Sequence, residues 1–176
     1  MRKPYAKRID ERAARLLRDL DLLAIPVDVG AVAERLGAQV VFENLEDDVS
    51  GFLLRDKSAI TIAINQHHHP NRQRFTLAHE CGHLFLHADQ GDRLWLDKAY
   101  FFRDSSSSKG DRLAEIQANQ FAAGLLMPEE LITAALFGTR TIGEVELLGL
   151  ATRFEVSERA MTLRLLSLGI IEPVAA

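Results

Sequence analysis

His79-Glu80-Cys81-Gly82-His83 lies inside a segment, Phe75 to His87, whose apolar members Phe75, Leu77, Ala78, Leu84 and Phe85 recur at helical spacing. Few sequence features restrict a fold as tightly. Imidazoles four residues apart share one helix face, and they serve one metal ion only if a second element completes the ligand set. Glu80 stands beside them, placed to take a proton from water that such a metal activates; zinc supplies the Lewis acid and the carboxylate the base. The competing reading is coincidence, which any five-residue pattern allows. Gly82 weighs against it: glycine costs about 1 kcal/mol inside a helix, so its presence points to a close approach of another backbone.

A catalytic zinc commonly takes three protein ligands and keeps one position open. His87 is excluded as the third, because a continuous helix rising ~1.5 Å per residue puts it about 12 Å from His79; it is read as packing or as support for a ligand. A glycine and third histidine just beyond the motif are also missing, since Ala88, Asp89 and Gln90 occupy that region. The ligand therefore comes from elsewhere. Asp111 to Met127 reads as a second helix with an apolar band of Leu113, Ile116, Ala118, Phe121, Ala122, Leu125 and Leu126, and Glu115 sits in that band. A carboxylate there wants a partner, and a metal held by two histidines is a sufficient one. The alternative is that Glu115 caps or solvates the helix start near Asp111. Asn119, one turn later, is placed to orient a ligand.

The rest of the chain supplies the scaffold. Ile9, Ala13, Leu16, Leu17, Leu20 and Leu23 mark an amphipathic first helix, whose charges, including Asp10 and several arginines, are read as its solvated side. Asp28 caps a second helix running to Leu36 and closed by Gly37. Ala38–Phe42, Gly51–Leu54 and Ile60–Ile64 read as three strands of a small antiparallel sheet. His67, His68 and His69 precede the motif helix and are read either as a metal-binding tract, as a solvated loop, or as a source of one groove-lining side chain. Ser105 to Ser108 form the tip of a long connection from Asp89 to Gly110, read as a cover for the cleft or as disorder. Cys81 is read as a buried small hydrophobe, turned away from His79 and His83.

Val145–Phe154 and Ser157–Leu168 read as two helices joined at Glu155 and Val156, with Ser157 as cap, similar to a helix-turn-helix. Leu147, Leu148, Leu150, Phe154, Leu163 and Leu165 belong to its apolar seam, while Arg159, Thr162 and Arg164 point elsewhere. Direct DNA binding is weakly supported, because glutamates outnumber arginines there and the chain carries a net charge of -4. With 176 residues, 47% hydrophobic and a mean hydropathy of -0.03, the chain suits one soluble domain with a small appendage. Its longest apolar run, Phe121 to Met127, is far short of a membrane span, and a single cysteine agrees with a reducing, cytoplasmic setting.

Two stretches carry a resemblance to a known family. The run from Arg72 to His83, RQRFTLAHECGH, and the run from Glu115 to Pro128, EIQANQFAAGLLMP, are similar to the two helix signatures of the ImmA/IrrE metallo-endopeptidases of bacteria and phages. Gly124 departs from that pattern, standing where the family more often has a charged or polar residue. The resemblance implies zinc on His79, His83 and Glu115, with Glu80 as catalytic base. It also implies a protein substrate, a helix-turn-helix repressor whose cleavage relieves repression in a mobile element or a stress response.

The combined expectation is an α+β fold: residues 1–127 form a zincin-like metallopeptidase domain and 128–176 a helical tail. The alternative function is a non-catalytic regulator whose tail docks a repressor or DNA, with the metal site structural or inactive.

Overall fold

A computed structural model describes residues 4–55, 59–87, 94–98, 109–139 and 141–172. Along the chain run α1 (Pro4–Asp19), α2 (Val29–Arg35), β1 (Ala38–Glu43), β2 (Val49–Arg55), β3 (Ile60–Asn65), α3 (Pro70–Leu86), β4 (Leu94–Lys98), α4 (Lys109–Leu126), α5 (Glu129–Ala135), α6 (Glu144–Phe154) and α7 (Glu158–Leu168). The fold is α+β, with the helices packed around one mixed sheet.

Local chemistry accounts for several boundaries. The Asp28 carboxylate accepts a hydrogen bond from the Ala31 amide at 2.9 Å, and Gly37, at φ +83°, follows α2 in the left-handed region. Ser157 caps α7 through the Ala160 amide at 3.1 Å. Pro70 does not break the helical pattern; it occupies the first turn of α3, where its missing N–H costs nothing, so α3 begins five residues before Phe75.

The expected three-stranded antiparallel sheet is corrected on two counts. The order is β1-β3-β2-β4, with β1 parallel to β3 and the other pairs antiparallel. Period-two patterning identifies strands but not neighbours: β3 inserts between β1 and β2, so β1 pairs with the strand two along, which runs in its own direction. The second count is β4, which falls inside the connection read as a loop. Asn65, at the end of β3, fixes the crossover: its buried amide donates to the carbonyls of Leu45, Glu46 and Val49. The Ser105–Ser108 tip lies outside the described residues.

The main core gathers Leu17 of α1, Val32 of α2, Ile62 and Ile64 of β3, Ala78 of α3, Phe121 and Leu125 of α4, and Phe154, Met161 and Leu165 of α6 and α7. Four helical readings are corrected. Leu113 and Ile116 of α4, and Leu148 and Leu163 of the tail, are exposed. Asp10, read as solvated, and Arg164, read as pointing away from the apolar seam, are also corrected: both are buried and joined by an ion pair of 2.9 Å. Their chemistry explains the exchange: a paired charge replaces apolar side chains where α1, α4 and α7 converge. No helix among the described residues is long and apolar enough to cross a membrane.

Candidate metal centre

α3 lies against the sheet on one side and against α4 on the other, and the fit of the two helices depends on Gly82. A Cβ at that position would stand 3.1 Å from the Ala118 Cα and 3.2 Å from both the Ala118 carbonyl and the Phe121 ring. The absence of a side chain lets the backbones approach, which is the reason the helix carries glycine there. The approach brings α3 one turn on either side of Gly82 within reach of the first turns of α4.

There the three expected residues meet. The Nε2 atoms of His79 and His83 stand 3.0 Å apart, and each lies 3.2 Å from a different carboxylate oxygen of Glu115. The two rings are edge to face, with centroids 4.6 Å apart and planes at 75°. Ligand atoms bound at ~2.0–2.1 Å to a tetrahedral ion lie about 3.3 Å from one another, so these separations fit one small divalent cation to within a few tenths of an ångström. The donor set agrees: two imidazoles and a carboxylate is a familiar set for catalytic zinc.

Electrostatics favours the ligand forms. Burial lowers the pKa of His83, against hydrogen bonding to Glu115, which favours the neutral imidazole a metal needs. Glu115 is less deeply buried; desolvation opposes its ionisation, but hydrogen bonds from His79 and His83 and their charges outweigh that and lower its pKa to about 2. Glu80 is 1% exposed, on α3 between the two histidines.

Other sequence candidates are placed differently. His87 follows α3: its amide donates to the His83 carbonyl at 3.0 Å, and its ring is hydrogen-bonded to the backbone of Ala114, the residue before Glu115. It therefore links the backbone turns that carry two of the site's residues, a link that spacing alone does not reveal. The Asn119 amide donates to the Glu115 main-chain carbonyl at 3.0 Å, bracing the helix turn instead of orienting a ligand atom. The loop histidines are engaged locally. His67 bonds Asn44 at 2.9 Å, His68 bonds the Asp47 carbonyl at 3.2 Å, and His69 accepts the Asn71 amide at the start of α3. Among the described residues, only His79, His83 and Glu115 form a group able to hold a metal. Cys81 is fully buried, and desolvation, with the charge of Glu80 second, pushes its thiol pKa far up.

Sequence reasoning missed Asp10, Gln120 and Arg164, which underlie this helix pair from the other side. Gln120 of α4 donates to Asp10 Oδ1 at 2.8 Å, and Arg164 donates to Asp10 Oδ2 and to the Met127 carbonyl, each at 2.9 Å. Gly124 belongs to the same contact: a Cβ there would meet Asp10 Oδ1 at 2.6 Å. The signal was present, since Asp10 shares a helical stripe with Ala13 and Leu17, and Arg164 lies beside Met161 and Leu165.

The fold and sequence have known counterparts. A Mycobacterium tuberculosis transcriptional regulator aligns over 91% of this chain and 46% of its own, with a TM-score of 0.61 and 19% identity, a likeness of fold. The radiation response metalloprotease IrrE of Deinococcus radiodurans is 39% identical over 99 residues, covering 54% of this chain and 27% of that protein. Its Deinococcus deserti counterpart is 40% identical over the same length, 54% of this chain and 32% of that protein. The "Uncharacterized immunity region protein 2" of Bacillus phage phi105 is 28% identical over 102 residues, 58% of this chain and 60% of that protein. This chain thus spans about a third or less of the Deinococcus proteins. Residues 33–166, which include both helices of the metal centre, match the Peptidase_M78 family, the IrrE N-terminal-like domain, and the chain therefore belongs to the ImmA/IrrE family of metallopeptidases.

Proposed function

We propose that this chain is a zinc-dependent endopeptidase that hydrolyses a peptide bond in a DNA-binding repressor, with His79, His83 and Glu115 as metal ligands and Glu80 as general base. The observation that carries the reading is the donor cluster where α3 and α4 meet: the Nε2 atoms of His79 and His83 are 3.0 Å apart, and each is 3.2 Å from one of the two Glu115 carboxylate oxygens. Zinc bound there supplies Lewis acidity and lowers the pKa of water towards ~7.

The chain's own residues do the rest. His79 and His83 offer imidazole nitrogen, and Glu115 offers an anionic oxygen. Glu80 takes the proton from the attacking water as the new C–O bond forms at the peptide carbonyl. It returns that proton to the nitrogen as the C–N bond breaks, so the products are a carboxylic acid and an amine. A repressor substrate rests on family membership. Residues 128–176 are proposed as a helical tail packed on the catalytic part, 1–127.

Two variants test the proposal. Glu80→Gln should retain about one zinc per chain by elemental mass spectrometry while losing ~10²–10⁴-fold in peptide cleavage. Glu115→Ala should lose both metal and cleavage. Undiminished cleavage by Glu80→Gln, or full zinc content in Glu115→Ala, would overturn the assignment.

A further inference from the structure

Between α3, α4 and α7 runs a groove of about 660 Å³, floored by Phe75, Ala123, Met127 and Ala160 and edged by Leu163. A second compartment of about 360 Å³ adjoins it, sharing Arg72, Phe75, Ser157 and Ala160 and extending to Val156 and His69. We propose that this groove docks an acidic amphipathic helix of the protein substrate, beside the metal centre. The proposal rests on the peptidase reading and deepens it.

Three observations select that occupant. The first is charge. No carboxylate lines either compartment, and Arg72 and Arg159, both exposed, form no ion pair among the described residues. Arg18, Arg74 and Arg164, in contrast, are each paired with a carboxylate, to Glu130, Glu155 and Asp10. A groove with two uncompensated guanidiniums, on a chain of net charge -4, suits a partner bearing carboxylates.

The second is shape. The main groove is walled by helices, with no strand edge open for main-chain pairing, so recognition must come from side chains. A helix laying its apolar stripe on Phe75, Ala160 and Leu163, with acidic residues at its borders, uses that surface fully. Leu163 is 57% exposed, so contact would remove substantial apolar area from water.

The third is alignment with the chemistry. Phe75 precedes His79 by one turn of α3, and Ala123 follows Glu115 by two turns of α4, each along a single helical stripe. The four residues from Phe75 to His79 are about 6 Å of helix rise. The groove is thus built on the two helices that carry the ligands, while His79, Glu80, His83 and Glu115 lie outside it, so binding and cutting are functions of separate surfaces on one helix pair.

The test uses two fluorescein-labelled, alanine-rich peptides of about 18 residues, long enough to form helices. Both carry leucines at i, i+3, i+4 and i+7; one has glutamates at the borders and the other lysines. Fluorescence anisotropy should give tenfold or tighter binding of the glutamate peptide to the wild type, weakening with salt and unchanged by a chelator. Arg159→Glu should lower that affinity at least tenfold and reverse the preference, and Leu163→Ser should weaken both peptides, with melting temperatures confirming that each variant is folded. Equal binding of the two peptides, or no binding, would overturn the proposal. So would a dimer in analytical ultracentrifugation that Leu163→Ser dissociates, because the groove would then belong to a second copy of the chain. Loss of peptide binding with Glu80-dependent cleavage intact would end the docking proposal alone, whereas binding without any cleavage would end the peptidase reading.

Discussion

Arg164 of α7 and Asp10 of α1 are 154 positions apart in sequence and 2.9 Å apart in space, both buried, at the back of the helix that carries Glu115. The contact does more than cancel two charges. Gln120 and the Met127 carbonyl occupy further hydrogen-bonding positions, and Gly124 leaves the room that Asp10 Oδ1 needs. Removing one partner of such a pair leaves a buried charge uncompensated, which costs about 3–5 kcal/mol. Asp10→Ala should therefore lower the urea midpoint sharply, and the double variant Asp10→Leu with Arg164→Met should recover most of it. Gly124→Ala should also destabilise, because its methyl group would press on Asp10 Oδ1, the oxygen that accepts from Gln120, in a carboxylate whose other oxygen Arg164 holds. A loss below 1 kcal/mol in Asp10→Ala, read from urea denaturation, would show that the pair contributes little.

That network also marks where sequence reading stops. The donor cluster was legible because it is encoded locally: two imidazoles at i and i+4 on one helix, and a carboxylate on an apolar band of another. The pairing Asp10–Arg164 was not read, because each charge alone resembles the solvated side of an amphipathic helix. Only their positions on the stripes of Ala13 and Met161 betray burial. The sheet order was hidden for a different reason, since the insertion of β3 between β1 and β2 depends on the crossover that Asn65 organises and not on any strand's own pattern. Leu113 and Ile116 fit a helical period yet face out, a reminder that an apolar band wider than the buried face leaves some members in water.

His87 should tune the metal centre without touching the ion. It is tied to the His83 carbonyl by its amide and to the Ala114 backbone by its ring, so it sets the spacing between the helices that supply the ligands. Groups that orient ligands commonly change metal affinity by ~10–100-fold. His87→Ala should weaken zinc binding within that range in a competition titration with a chromophoric chelator, and His87→Asn, which keeps a side-chain donor, should restore part of it. Unchanged affinity in both variants would reduce His87 to a helix terminator.

Metal removal should report on folding as well as on catalysis. His79 and His83 come from α3 and Glu115 from α4, so a cation binding all three requires the two helices to be packed and favours the folded state. At a free zinc concentration 100 times Kd, that linkage contributes about 2.7 kcal/mol. Adding a chelator should lower the melting temperature of the wild type by several degrees, while Glu115→Ala should melt at a temperature nearly independent of chelator. Equal chelator effects in the two proteins would place the stabilising metal elsewhere.

Cys81 provides an alkaline signature. Burial pushes its thiol far above the ordinary value, with the Glu80 charge adding to the effect, so the folded chain keeps the proton while the unfolded chain releases it above about pH 8.5. The unfolded state then binds fewer protons, and stability must fall as pH rises, by up to about 1.4 kcal/mol per pH unit for this one group. Urea midpoints measured from pH 8 to 10 should decline more steeply for the wild type than for Cys81→Ala. Iodoacetamide at pH 9 should leave the native thiol unmodified and alkylate it after unfolding. Parallel pH profiles for the two proteins, or rapid alkylation of the native chain, would mean that the thiol is accessible beside the metal ligands and not part of the core that holds α3 in place.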